Sequence, residues 1–336
     1  MIKFFVFSIT LLLALGQFGQ AQSTLPELKD EYLSKRNKFI DASTKKFSDT
    51  EQTELNSILE QIKTKDENSF EYHLIHYING NYNTSLKESL FKAYQLNSGD
   101  ENVLREMLAY YVITDNSVKQ IEFVKKLQKF YTSTELAYYQ DAMPKSANSV
   151  LLTSSQEDLF GFLFVQLVYE VGTGVQLLNL DLLKNDDYRA NQTGAVGISN
   201  INFLGVETGF VKTLITKSKK KVYVSSTVPQ NYLSEVAENI FVAGLCYQYG
   251  AIDQRQILDE FWTSLKSKDV SKFVLSQSVE KKLYSNYLPP LLTLYRMKKV
   301  NDFEDVTLKN TIQLIADKTG KKDAVNQILA DYSKNE

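Results

Sequence analysis

The hydrophobic period of this chain changes at residues 144–149 (PKSANS), and this change constrains the fold more than any other feature. Before it, from Leu25 to Met143, apolar residues recur at helical spacing between short polar breaks. After it, the short apolar run VLLTSS (150–155) leads into the apolar helical pattern QEDLFGFLFVQLVYEVG (156–172). Short apolar runs that alternate with helical patterns predict a parallel sheet with crossover helices.

Two further apolar runs extend this α/β pattern. VQLLNLDLL (175–183) predicts a second strand and KKKVYVSSTVP (219–229) a third, with a helical segment at 200–218 between them. Segment 233–250 fits either a helix or a turn plus a fourth strand. From Asp253 the pattern is helical again, and Pro289-Pro290 predicts a kink or a break there.

The predicted fold class is therefore α/β plus all-α: a helical array, a small α/β domain with a parallel sheet, and C-terminal helices. A length of 336 residues is enough for this organisation. The predicted boundaries are 1–21 for a signal peptide, 22–146 for the array, 147–252 for the α/β domain and 253–336 for the C-terminal region.

The N-terminal 21 residues have the features of a cleaved secretory signal. Lys3 precedes an apolar run from Phe4 to Gly16 that is too short to span a bilayer, and small residues precede Gln22. No Cys stands at the cleavage site, which argues against a lipoprotein. We expect a periplasmic protein that is not integral to the membrane. Loss of Lys3 takes the formal charge from −2 to −3, so a nucleic-acid partner is not expected.

An internal period of 34 residues lies within the predicted array. Phe70 and Leu104 occupy equivalent positions, as do Tyr77 and Tyr111. This layout resembles the tetratricopeptide repeat, in which helix pairs recur at that period and stack into an extended concave surface. The resemblance implies a protein partner, and an outer-membrane or envelope complex is the expected class. The residues predicted to contact it are Tyr72, Tyr77, Tyr82, Tyr110 and Tyr111.

Polar side chains follow each predicted strand, where a parallel sheet would place its ligand site. Hydroxyls, amides and carboxylates on one rim suit sugars, peptides or a divalent cation. Ser155 fits a helix N-cap better than a ligand contact. The run TSSQED has no glycine for a phosphate cradle, so no nucleotide or other cofactor is predicted. The predicted ligand residues are Thr153, Ser154, Asp158, Asn179, Asp181, Asp186 and Ser225.

Residues 150–250 resemble the soluble region of protein O-mannosyltransferase-like bacterial membrane proteins. The resemblance is carried by VLLTSSQEDLFGFLFVQ, VQLLNLDLLKNDDY and VYVSSTVPQN. It implies a shared soluble domain in which Asp158, Asn179 and Asp186 are the contacts. The family's Asn-Gly-Asp-Asn is replaced here by Ser154-Ser155-Gln156-Glu157, and its membrane helices are absent.

Residues for catalysis are few. The chain has two histidines, His73 and His76, three positions apart, and one cysteine, Cys246, on an apolar stretch. Neither a Ser-His-Asp arrangement nor a metal site is completed by its neighbours in sequence. We therefore expect a non-enzymatic binding or scaffold protein. Two alternatives remain: an enzyme or accessory factor that acts on glycans through the strand-end rim, and a degenerate domain that only fills space.

Overall fold

The computed structural model describes residues 23–39, 47–198, 208–300 and 303–334. The predicted signal peptide lies outside these ranges, as does part of the helical segment predicted at 200–218. These described residues are mostly helical, with one small mixed sheet of five strands. Within the described residues, no helix is both long enough and apolar enough to cross a membrane.

In the described part of the chain, seven α-helices precede the sheet and form the helical array. Several begin at a side chain that caps the first turn: Ser48 and Thr132 each form a capping box with a glutamate three residues later. The helices are α1 (Leu25–Phe39), α2 (Asp49–Asp66), α3 (Phe70–Asn79), α4 (Lys87–Leu96), α5 (Glu101–Ile113), α6 (Ser117–Leu127) and α7 (Ser133–Ala142).

Within the array, α3 packs on α4 and α5 packs on α6. The first helices of these pairs begin at Phe70 and Glu101, a spacing of 31 residues, whereas the sequence period is 34. Consequently Phe70 starts its helix, while its predicted equivalent Leu104 lies one turn inside α5. The helix pairs recur, and the resemblance to tetratricopeptide repeats stays a prediction.

The sheet follows in the order β2-β1-β3-β5-β4. Strand β1 pairs in parallel with both β2 and β3, as the sequence predicts, because crossover helices link these three strands. The prediction of a wholly parallel sheet is corrected by β4 and β5, an antiparallel hairpin whose strand β5 pairs antiparallel with the central strand β3. The strands are β1 (Ser149–Thr153), β2 (Val175–Asn179), β3 (Lys221–Ser225), β4 (Ile240–Ala243) and β5 (Cys246–Tyr249).

The remaining helices cross between strands or follow the sheet. A long 3₁₀ helix, Gln230–Asn239, precedes β4. Pro289 and Pro290 lie in the first turn of a helix, so the chain breaks before them as predicted. The helices are α8 (Gln156–Val168), α9 (Asp186–Ala195), α10 (Thr208–Lys217), α11 (Gln254–Lys266), α12 (Ser278–Ser285), α13 (Leu288–Lys299), α14 (Val306–Thr319) and α15 (Lys322–Lys334).

Helix α8 joins the array to the sheet. All eight residues from Asp158 to Val165 are buried, so the helix has no solvent-facing side over two turns. It packs on β2 and on α5, α6 and α7 of the array. Arg105 of α5 lies over the ring of Phe160, 5.7 Å from its centroid. The array and the sheet therefore share one apolar core.

Helix α7 in turn holds the C-terminal helices. Tyr138 of α7 meets the rings of Tyr284 and Tyr287 at 6.3 and 6.0 Å. Its hydroxyl accepts a hydrogen bond of 3.0 Å from the Asn286 amide. Tyr287 donates 2.7 Å to Asp141 at the end of α7. One helix thus contacts the sheet through α8 on one side and the C-terminal region on the other.

Gly161 is required where α7 and α8 approach each other. A Cβ at this position would lie 2.3–2.6 Å from three ring atoms of Tyr139, which is buried and cannot swing away. We predict that Gly161→Ala lowers the free energy of unfolding by about 1–3 kcal/mol through overpacking. Urea titration followed by circular dichroism measures the change.

Gly194→Ala in α9 is the matched control, because a Cβ there meets nothing within 4 Å. It should leave stability unchanged or raise it by up to about 1 kcal/mol, since alanine is the better helix former. Equal effects of the two substitutions would contradict the close approach of α7 and α8.

Candidate functional site

The structure brings the ends of the three parallel strands to one edge of the sheet. Thr153, Asn179 and Ser225 end β1, β2 and β3, and all three side chains are completely buried. Strand β1 lies between β2 and β3. The chain therefore crosses from β1 to β2 on one side and then back past β1 to β3 on the other, so the direction of the crossovers reverses between β1 and β3. This is the position where open α/β sheets usually bind ligands.

Asn179 uses its whole amide to tie the strand ends together. Its Nδ2 donates to Thr153 Oγ1 at 3.0 Å and to the Ser155 carbonyl at 2.7 Å. Its Oδ1 accepts from the Leu182 amide at 3.1 Å. A side chain bonded in this way fixes the loops after β1 and β2, and no part of it faces a ligand.

Asp158 lies at the winding reversal, in the first turn of α8. It is 5% exposed, and its Oδ1 accepts a hydrogen bond of 3.3 Å from Tyr139. Burial raises the pKa of this carboxyl to about 6, against the opposing effect of hydrogen bonds from Thr227, Tyr139 and Ser155. Ser225 completes the group, 2.7 Å from the Thr227 hydroxyl. The group is a buried polar network closed by protein atoms.

The other predicted ligand residues do not form a common surface. Ser154 is buried, and Asp181 is partly buried. Asp186 is exposed, at 86% of its side chain, and pairs with Arg189 on the same helix. Of the seven predicted ligand residues, Asp186 alone is fully exposed, and ligand binding by the rim stays a prediction.

The helical array covers this edge of the sheet. Gln156 donates a hydrogen bond of 2.7 Å to the Tyr82 hydroxyl and one of 3.3 Å to Glu106 of α5. Asn185 donates 2.9 Å to the Tyr82 carbonyl. Tyr82 holds a left-handed backbone conformation, φ +65°, which is strained for a bulky residue. Burial raises the pKa of Glu106. Tyr82 and Gln156 are 74 residues apart in the sequence, so no local sequence pattern predicts their contact.

The five predicted partner tyrosines divide into two sets. Tyr77 and Tyr82 are buried at 0% and 5% exposure, so they are not available at the surface. Tyr72, Tyr110 and Tyr111 are partly exposed. Helices α4 and α6 add three more aromatic side chains beside the last two, which lie on α5. We call the resulting row the aromatic ladder: Phe91, Tyr94, Tyr110, Tyr111 and Phe123.

The sequence contained a signal for Phe91 and Tyr94 that the repeat analysis missed. The two residues are three positions apart on α4, and that spacing places both rings on one side of a helix. Phe91 meets Tyr110 edge-on at 5.4 Å, and Tyr94 lies 5.3 Å from Phe123.

The remaining reactive side chains are dispersed. Cys246 is buried and donates 3.2 Å to the Ala142 carbonyl, and burial raises its pKa to about 12, so it is a neutral thiol at pH 7. His76 Nδ1 forms a hydrogen bond of 2.8 Å with Ser89 Oγ. Both ring nitrogens of His73 are buried without a hydrogen-bond partner in the described part of the chain. Within the residues that the structure describes, no group of three His, Cys, Asp or Glu side chains could hold a metal ion.

Comparisons with protein-family models, with curated proteins and with solved structures give no match. The resemblance to the soluble region of O-mannosyltransferase-like proteins thus stays a prediction.

The buried carboxyl of Asp158 predicts a pH dependence of stability. Its folded pKa of about 6 exceeds the unfolded value of about 4, so the stability given by the neutral form is present below pH 4 and lost as pH rises through 6. Asp158→Asn is always neutral and keeps that stability. We predict that the variant matches wild type near pH 4 and exceeds it by up to about 3 kcal/mol at pH 7.5.

Urea unfolding at a series of pH values measures this difference. Asp186→Asn is the control, an exposed acid in the same α/β region, and it should reproduce the wild-type pH profile. A constant difference between Asp158→Asn and wild type from pH 4 to 7.5 would show that Asp158 is charged in the folded state throughout.

Proposed function

We propose that this is an exported, non-enzymatic binding protein whose helical array engages a protein partner through the aromatic ladder. The observation that carries the proposal is a row of rings on three consecutive helices, four of them partly exposed: Phe91, Tyr94, Tyr110 and Tyr111. Tyrosine is enriched among the residues that dominate binding energy at protein interfaces.

The ladder is held in place before any partner binds. Phe91 and Tyr110 meet at an interplanar angle of 85°, and Tyr111 lies 5.4 Å from Phe123. Lys126 lies 4.7 Å from the centroid of Phe123 and donates 2.6 Å to the Tyr94 hydroxyl. Rings fixed in this way lose little conformational entropy on binding, which favours recognition.

The position of α8 decides which side of the array is open. This helix lies against α5, α6 and α7, so the side of these helices that faces the sheet is covered. The proposed partner surface is consequently the side of α3–α6 that carries Tyr72 and the ladder, and not the side that faces the sheet.

The cellular setting is part of the same proposal. The apolar segment after Lys3 supports export through a cleaved signal, with cleavage before Gln22 and a periplasmic location. An outer-membrane or envelope complex is the partner class that fits this location. The resemblance of the helix pairs to tetratricopeptide repeats supports protein binding in the same way.

The glycan alternative meets a physical obstacle in this structure. Asp158 and Asn179 are buried beneath the array, and Gln156 is bonded to Tyr82 above them. A sugar could reach these residues only if the array moved away from the sheet, which would expose the apolar sides of α8. The buried edge gives no support to a glycan site.

Substitution of the exposed tyrosines tests the proposal. Tagged protein is purified from detergent-solubilised envelopes of its native host, and associated proteins are quantified by mass spectrometry. We predict that changing Tyr72, Tyr110 and Tyr111 to Leu lowers recovery of the partner at least about tenfold, because hot-spot rings contribute about 2 kcal/mol or more each. Leucine retains apolar packing, and circular dichroism verifies the fold.

Tyr169→Leu is the matched control, since Tyr169 is 44% exposed at the end of α8, outside the array. It should recover the partner as wild type does. Loss of the partner from both variants, or from neither, would contradict the aromatic ladder as the binding surface.

A further inference from the structure

A pocket of about 420 Å³ lies where α7, the sheet and α11 meet, away from the aromatic ladder. We propose that it is a binding site for a small organic acid: an apolar or aromatic body that carries one anionic group and one N–H or O–H donor. Its volume falls in the range of small-molecule sites, about 300–1,000 Å³, which occur preferentially where separate parts of a fold meet. This inference is independent of the protein partner proposed above.

Strand register explains which side chains form the floor. Tyr223 of β3 pairs with Gln248 of β5, and Ser225 pairs with Cys246, so these residues share one face of the sheet. The turn between β4 and β5 contains Gly244, whose φ of +68° is a backbone conformation that glycine adopts readily. The pocket side of this hairpin thus presents Gln248 and Cys246.

Gln248 is the observation that points to a ligand. Its side chain is 5% exposed, and its Oε1 accepts no hydrogen bond from the described residues. A buried amide oxygen without a donor is unfavourable, by about 1–3 kcal/mol. Gln248 lines the pocket, and rotation of its terminal amide, a soft torsion, would present the oxygen to a donor on a bound molecule.

The walls are apolar and suit a ring. Phe261, Ile257 and Leu265 of α11 face the hairpin, and Met143 closes the side towards α7. Burying a hydrocarbon body against these side chains supplies the non-directional part of the binding energy.

The charges around the pocket select an anion. Lys268 is neutralised by Asp141, which also accepts from Tyr287. Glu260 accepts 3.0 Å from Gln256. Lys145 and Lys221 have no acidic partner within the described ranges, and the Lys221 amine lies 5.2 Å from the Tyr223 ring centroid. The lining thus holds three lysines and two carboxylates, Asp141 and Glu260, and this excess of one positive charge favours a carboxylate or sulfonate on the ligand.

Two dyes with the same ring system test both parts of the proposal. Anilinonaphthalene sulfonate is anionic, and N-phenyl-naphthylamine is its neutral analogue; both fluoresce on entering an apolar site. We expect one saturable site per chain that binds the sulfonate more tightly. Changing Lys145 and Lys221 to Gln should lower the affinity for the sulfonate by about three- to tenfold and leave the affinity for the neutral dye unchanged.

Two further variants locate the site. Ser264→Trp places a large ring at the pocket wall from an exposed position on α11 and should abolish binding of both dyes. The control for charge changes Lys65 and Lys125, two exposed lysines of the array, to Gln. This variant should bind both dyes as wild type does. Near-ultraviolet circular dichroism verifies that each variant is folded.

Each other result overturns the proposal. Absence of a saturable dye site in wild type rules out the pocket, and so does full binding by folded Ser264→Trp. Equal affinity for the two dyes, or an unchanged affinity for the sulfonate in the Lys145/Lys221 variant, rules out an acid as the ligand class.

Discussion

Burial of helix α8 on every side is the constraint on which the rest of the structure depends. A helix whose residues from Asp158 to Val165 are all buried must be covered from two directions. The sheet covers one direction and the array covers the other, with Gly161 allowing α7 to approach closely. The C-terminal helices then attach to the same α7 through Tyr138.

This arrangement changes the surfaces that are left for function. The edge of the sheet, where α/β proteins usually bind ligands, is closed by Tyr82 and Glu106 of the array. Helix α8 also covers the side of α5, α6 and α7 on which it packs. What remains is the aromatic ladder on one side and the pocket beside α11 on the other, and the two proposals rest on these separate features.

Much of this could be predicted from local sequence. The change of period at 144–149, the three parallel strands, the N-cap Ser155 and the break at Pro289 all follow from spacing and turn chemistry, and the structure agrees. Helical spacing also places Tyr77 with the core, because it follows the buried Leu74 by three positions on α3.

The rest depends on contacts between distant segments. Asp158 has the sequence of a first-turn acid after a strand. Burial by distant segments raises its pKa to about 6, and the hydrogen bond from Tyr139 opposes that rise. Segment 233–250 has apolar runs that fit a helix or a strand, and pairing with β3 decides for an antiparallel hairpin. The charges left over around the pocket emerge only after Asp141 and Lys268 have paired.

Native-state hydrogen exchange tests the central claim most directly, because it measures the free energy with which each segment opens. If α8 joins the array and the sheet in one core, the amides of α5, α8 and β1 should exchange with a single opening free energy, equal to that of global unfolding. Exchange of the array at a clearly lower free energy than β1 would contradict the account, since it would mean that the array opens while the sheet stays folded.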